Sequence, residues 1–166
     1  MDETPLAMRA DLKLLDDHSS VQVGSSGELM IKPVEKAECY DHLARLLVEV
    51  FELPSFAIKI IVEMFCHPDF DLEKSFRHYL GFLDGKPVAA GSVFVKDHVA
   101  GIYNVCVSPS ARKCGFGEVI TRHLLNVAKQ SGCTSSILQS SSMARHLYEK
   151  IGFKSSGTFK IFLLEV

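Results

Sequence analysis

The chain has 166 residues, 47% of them hydrophobic and 23% charged, and its formal net charge is −2. That length suits one compact domain with its own core, and the balance argues against disorder. A nucleic-acid binder would show a basic excess or stripe, which is missing, and no apolar run approaches the roughly 18 residues of a membrane span.

Residues 1–27 read as an N-terminal arm or linker, or as the trace of a preceding domain. Within it, Asp11 to Asp17 has the pattern of one or two helical turns, and Gly24-Ser25-Ser26-Gly27 that of a flexible link. The main domain is expected over 28–166. Glu28 to Val34 predicts a first strand. From Glu35 the pattern turns helical, with Leu43, Leu46, Leu47 and Val50 on one face. Pro54 closes that helix, and Ala57 to Phe65 predicts a second, which His67-Pro68-Asp69 ends.

A hairpin follows, Tyr79 to Leu83 and Pro87 to Val95 around Asp84-Gly85, a pair suited to a type I′ turn. The small residues Ala89, Ala90 and Gly91 mark a place of close packing, with room for a longer acyl group as one reading. Val99 to Val107 predicts another strand, entered through a tight turn near Lys96-Asp97-His98. After Ser108-Pro109 a glycine-containing segment leads into a helix to about Ser131. Its stripe is Val119, Ile120, Leu124, Val127 and Ala128, and Gly132 follows its C-terminus. Ser135 to Gln139 predicts a short strand. Ser140 to Ser142 offer caps for a last helix with Met143, Leu147 and Ile151 on one face, stopped by Gly152. Phe153-Lys154 and Phe159 to Val166 are expected to close the sheet. The order β-α-α-β-β-β-α-β-α-β-β defines an α/β layered domain with a mixed, mostly antiparallel sheet of six to seven strands and about four helices.

There are five cysteines, with no Cys-x-x-Cys pair and no secretory apolar segment at the start. This predicts free thiols, a reducing cytoplasmic setting and no metal site.

The strongest local signal is Arg112-x-x-Gly115-x-Gly117 between a buried strand and a helix. A diphosphate needs several converging N–H donors and no side chain in the way. A helix start supplies unpaired N–H groups and partial positive charge, and glycine removes the obstructing Cβ. Arg112 and Lys113 add charge. The spacing fits neither a P-loop nor a dinucleotide fingerprint.

The run Tyr103 to Gly117 resembles the acetyl-CoA-binding strand, loop and helix of the GNAT superfamily of N-acetyltransferases, with its Arg/Gln-x-x-Gly-x-Gly/Ala pattern. Leu147-Tyr148-Glu149-Lys150-Ile151-Gly152-Phe153 is similar to that family's Leu-Tyr-x-Lys-x-Gly-Phe segment. The resemblance covers roughly residues 28–166. It implies the GNAT fold, acetyl-CoA as cosubstrate and transfer to an amine, whether of a small molecule or a peptide. It implies that the main chain of Val105, Cys106 and Val107 pairs with pantetheine. Arg112, Lys113, Cys114, Gly115, Phe116 and Gly117 would then hold the pyrophosphate, and Tyr148 would stand near the sulfur as general acid. Where the family often has Asn, seven residues before the tyrosine, this chain has Ser141, which offers one donor instead of two.

No base is identified. Glu49, Glu52, Asp97 and His98 are candidates, and Asn104 cannot serve. Transfer through an acyl-cysteine would require Cys106 or Cys114 to align with the thioester. A CoA-binding sensor without catalysis remains a reading of the same motifs. Monomer and homodimer are both compatible with the sequence.

Overall fold

The computed structural model describes residues 5–15, 28–66 and 75–160. The elements are β1 (Leu6–Asp11), β2 (Met30–Pro33), α1 (Ala37–Val50), α2 (Ala57–Cys66), β3 (Phe76–Leu83), β4 (Lys86–Lys96), β5 (Val99–Val107), α3 (Phe116–Gln130), β6 (Ser135–Ser140), α4 (Arg145–Ile151) and β7 (Lys154–Thr158). Seven strands form one sheet in the order β2-β3-β4-β5-β6-β1-β7. Every pairing is antiparallel except β5 with β6, which the α3 crossover makes parallel.

Both faces of the sheet are covered over its centre. The amphipathic α1 lays Leu43, Leu46 and Leu47 on Leu80, Ala90 and Cys106. On the other face α3 lays Ile120, Leu124, Val127 and Ala128 on Val93, Ala100 and Ile102. The small residues of β4 serve this packing. Ala89 and Ala90 are fully buried, and a Cβ on Gly91 would come 2.7 Å from Leu124 Cδ1. Gly91 thus packs against α3, and Ala90 against α1.

The expected hairpins are present. Asp84 and Gly85 have φ of 49° and 77°, the left-handed pair that a type I′ turn requires. Asp97 and His98 form a second such turn, with φ of 49° and 63° and no glycine. Gly132, at φ 78°, follows α3.

The N-terminal segment departs from expectation. Leu6–Asp11 is a strand between β6 and β7, antiparallel to both. Met8, Ala10 and Leu12 are buried in the main core, and Arg9 and Asp11 face solvent. Asp11 therefore ends a strand, and Leu12–Leu15 turns without forming a helix. The period of two is present in Leu6-Ala7-Met8-Arg9-Ala10-Asp11, but two small alanines weaken it as a signal. Other boundaries are tighter than expected. The strand over 28–34 is Met30–Pro33, α1 begins at Ala37 instead of Glu35, and Phe153 precedes β7. The expected Gly24–Gly27 link, the 67–69 break and most of the Phe159–Val166 strand lie outside the described residues.

Candidate active site

The site is built where β5 and β6 part. Their ladder runs from Val99↔Ser135 to Ile102↔Leu138 and stops there, although the strands continue to Val107 and Ser140. On its other side β5 carries a bulge. Ala90 faces Cys106 and Ser92 faces Tyr103, so β5 has one residue more than β4 over this stretch. Asn104, inside the bulge, has φ of 55°. Asparagine is among the few side chains that tolerate this conformation.

Beyond Val107 the chain makes a 3-10 turn at Pro109–Ala111 and enters α3 through two left-handed residues, Lys113 (φ 64°) and Gly115 (φ 83°). The first helical hydrogen bonds run from the amides of Glu118 and Val119 to Gly115 O. The amides of Phe116 and Gly117 thus precede the helix's own ladder and are available to an anion. A Cβ at Gly117 would lie 3.3 Å from Leu147 Cδ2. Arg112 is exposed, with Nε donating to Val107 O at 3.3 Å.

These parts meet in one cleft of about 610 Å³. Val105, Cys106, Val107, Arg112, Lys113, Gly115, Phe116, Gly117, Ser141 and Tyr148 all line it. Cys114 alone among the expected site residues does not, its Sγ lying 3.5 Å from Arg112 O. Phe116 buries its ring in the core, so only its main chain can serve a ligand. The Ser141 hydroxyl accepts from the Ala144 amide at 3.3 Å and caps the turn before α4. Met143, expected on the face of α4, sits in that turn, 79% exposed, on the cleft wall.

Tyr148 is 6% exposed, its ring against Phe153. Burial, with Cys106 nearby, pushes its phenol up to about 12. The Cys106 thiol is likewise pushed up to about 12 by burial and by Glu49, against the opposing effects of the Ala90 backbone and Arg112. Both groups keep their protons at neutral pH.

An ion-pair cluster that sequence reasoning missed joins the two functional helices. Glu118, in the first turn of α3, pairs with Lys150 Nζ of α4 at 2.7 Å and with Arg122 at 2.9 Å. Burial raises the Glu118 carboxyl, but these two cations outweigh it and hold it below its usual range. Lys150 is the lysine of the Leu-Tyr-x-Lys-x-Gly-Phe segment, two residues from Tyr148, and that spacing was the available signal. The base candidates divide by position. Asp97 and His98 sit at the end of β5 remote from the cleft, where His98 Nδ1 meets Gly132 O. Glu49 adjoins cleft residues Val50 and Phe51, and Ser108 Oγ donates to it at 3.0 Å. Among the described residues no group of three metal-binding side chains occurs, and no helix is long and apolar enough to cross a membrane.

The cleft thus joins a bulged strand, parted from its neighbour, to a helix start that carries Gly115 and Gly117. The chain belongs to the Acetyltransferase (GNAT) family, which it matches over residues 38–153. It is similar to the uncharacterized protein YyaT of Bacillus subtilis (strain 168), 30% identical over 53% of this chain and 60% of that one. Its matches span 60%, 54% and 60% of the length of three Bacillus subtilis relatives. It is also similar to a glucosamine 6-phosphate N-acetyltransferase of Trypanosoma brucei brucei, 24% identical over 77% of this chain and 90% of that one. Among solved structures, AAC(6')-Iy in complex with a CoA-containing bisubstrate analog shares the fold. The TM-score is 0.66 at 14% identity, covering 84% of this chain and 100% of that one.

Proposed function

We propose that this protein transfers the acetyl group of acetyl-CoA to an amine by direct attack on the thioester. The observation that carries the reading is the single cleft holding the parted β5, the α3 N-terminus and Tyr148. The residues fit the group. Gly115 supplies a left-handed backbone that a larger residue would strain, and Gly117 leaves open the space next to Leu147. Arg112, Lys113 and the amides of Phe116 and Gly117 would hold the pyrophosphate, and the main chain of Val105 to Val107 the pantetheine amides.

Bound acetyl-CoA would supply the acyl group in activated thioester form. The chain's own contribution is orientation and charge stabilisation. Main-chain N–H at the bulge would face the developing oxyanion. Tyr148, held neutral by burial, would donate to the departing sulfur. A free thiol has a reference pKa of about 8.5, so the phenol acts as a hydrogen-bond donor first. It gives up its proton only as the thiolate's charge grows beside it. Glu49 adjoins the cleft residues Val50 and Phe51, and we assign it the role of drawing the proton from the amine. Direct attack is favoured over an acyl-cysteine because Cys114 does not line the cleft and the Cys106 thiol is held protonated.

The test is thermal unfolding with and without acetyl-CoA, on the parent and on Gly117→Glu. A ligand at 100 times its Kd adds about 2.7 kcal/mol, which a rise in Tm reports. The rise should appear in the parent and vanish in the variant, whose carboxylate enters the phosphate site. No rise in the parent at millimolar acetyl-CoA would remove the reading. A rise without turnover across a broad panel of amines would leave a binding protein in place of an enzyme.

A further inference from the structure

A buried polar line crosses three strands beneath α1 and α2. His78 on β3, Ser92 on β4 and Asn104 on β5 share one hydroxyl. Ser92 Oγ lies 2.7 Å from His78 Nδ1 and accepts from Asn104 Nδ2 at 3.2 Å. Ser92 is fully buried and His78 is 6% exposed. The imidazole sits among the rings of Phe65 and Phe76, at centroid distances of 4.3 and 4.5 Å, with Tyr40 at 6.2 Å.

A serine oxygen has one proton to give and two lone pairs to accept with. The Asn104 amide donates to Ser92 Oγ, which leaves the Ser92 proton free for His78 Nδ1. A neutral imidazole with its hydrogen on Nε2 takes that proton as acceptor, and this is the tautomer that the proposal below requires. Burial among aromatic rings favours that neutral form.

The line ends at a strained point. Asn104 is the left-handed residue of the β5 bulge, and the β5–β6 ladder stops two residues before it. Val105, the next residue, lines the cleft. A bulge re-aims the strand that carries it, and a lone left-handed asparagine could relax if nothing held its side chain. We propose that Ser92 and His78 are positioning residues. They lock the Asn104 side chain, and so fix the direction in which the main chain at Val105 meets the acyl carbonyl. This inference rests on the acetyl-CoA reading above.

Two measurements test it without requiring the acceptor. In free protein, the ring-nitrogen NMR shifts of His78 should show Nε2 protonated and Nδ1 as acceptor. In the complex with carbonyl-labelled acetyl-CoA, the carbonyl stretch should be red-shifted. Ser92→Ala should bind acetyl-CoA as the parent does, by the same rise in Tm, yet lose most of that red shift. Once an acceptor amine is in hand, the same variant should lower kcat by about 10- to 100-fold and leave the KM for acetyl-CoA unchanged. Adding Asn104→Ala should cost little more, because the groups act as one unit. An unchanged carbonyl band in Ser92→Ala, or His78 protonated on Nδ1 in the parent, overturns the inference and leaves the cleft reading standing. Failure of the parent to bind acetyl-CoA overturns both.

If Ser92→Ala does not fold, Asn104→Asp at the half-buried end of the line replaces it. The new carboxylate cannot donate, so Ser92 must turn its proton toward it. His78 must then donate from Nδ1, and its two ring-nitrogen shifts should exchange. An unaltered His78 spectrum in Asn104→Asp overturns the inference.

Discussion

Tyr148 illustrates what a motif says about chemistry and what it leaves to the fold. The Leu-Tyr-x-Lys-x-Gly-Phe segment marked it as a candidate acid, but an ordinary phenol of pKa about 10 is only a weak one. In the fold it is buried and more weakly acidic still, at about 12. Its use therefore depends on a charge developing beside it, so its loss should fall on turnover. Tyr148→Phe should reduce kcat by about 100-fold or more and leave the acetyl-CoA Kd nearly unchanged. Steady-state kinetics with an accepted amine, together with titration calorimetry of acetyl-CoA, check this. An unchanged kcat would strip Tyr148 of the role. Ser141 shows the reverse. It stands on the cleft as expected, and its hydroxyl also caps a turn through the Ala144 amide.

At the scale of elements, the cleft depends on two helices meeting at a fixed angle. The N-terminus of α3 carries the proposed anion site and α4 carries Tyr148, and Glu118 ties the two helices through Lys150. Glu118 is almost wholly buried, whereas the Lys150 side chain is 69% exposed, so the carboxylate is the sensitive partner. Glu118→Ala should lower stability by about 1–3 kcal/mol, the usual cost of removing a hydrogen-bonded charged group. It should also weaken acetyl-CoA binding, because α4 is then free to shift against α3. Urea unfolding followed by titration calorimetry separates the two effects, and wild-type affinity in a destabilised variant would show that α4 is held by packing alone. Glu118 was legible only in hindsight. An acidic residue in a helix's first turn is ordinary in any sequence, and the contact with Lys150 spans 32 residues.

For the whole molecule, burial of His78 sets a pH limit. Its pKa is lowered from 6.5 to about 4 by desolvation. The unfolded chain takes up a proton as pH falls through 6.5, and the folded chain refuses it until about 4. Stability is therefore complete above 6.5 and declines below it, with about 3 kcal/mol lost by pH 4. Desolvation lowers His123 as well, and Glu118 is also held low, so both act in the same direction. Urea midpoints between pH 7 and 5, above the range where most carboxylates titrate, should fall steadily. A flat profile there would mean that His78 is charged in the fold or exposed. By itself the sequence determined the glycine-containing entry to α3, the turns and most helices and strands. Those signals are local: a glycine at a left-handed position, an Asp-Gly turn, an apolar stripe. Only the tertiary structure decided that Leu6–Asp11 is an interior strand, that β5 and β6 part after Ile102, and that His78, Ser92 and Asn104 share a hydroxyl. Each of these joins residues far apart in the chain or across strands, and such contacts acquire their energy only once the sheet is assembled and water is excluded.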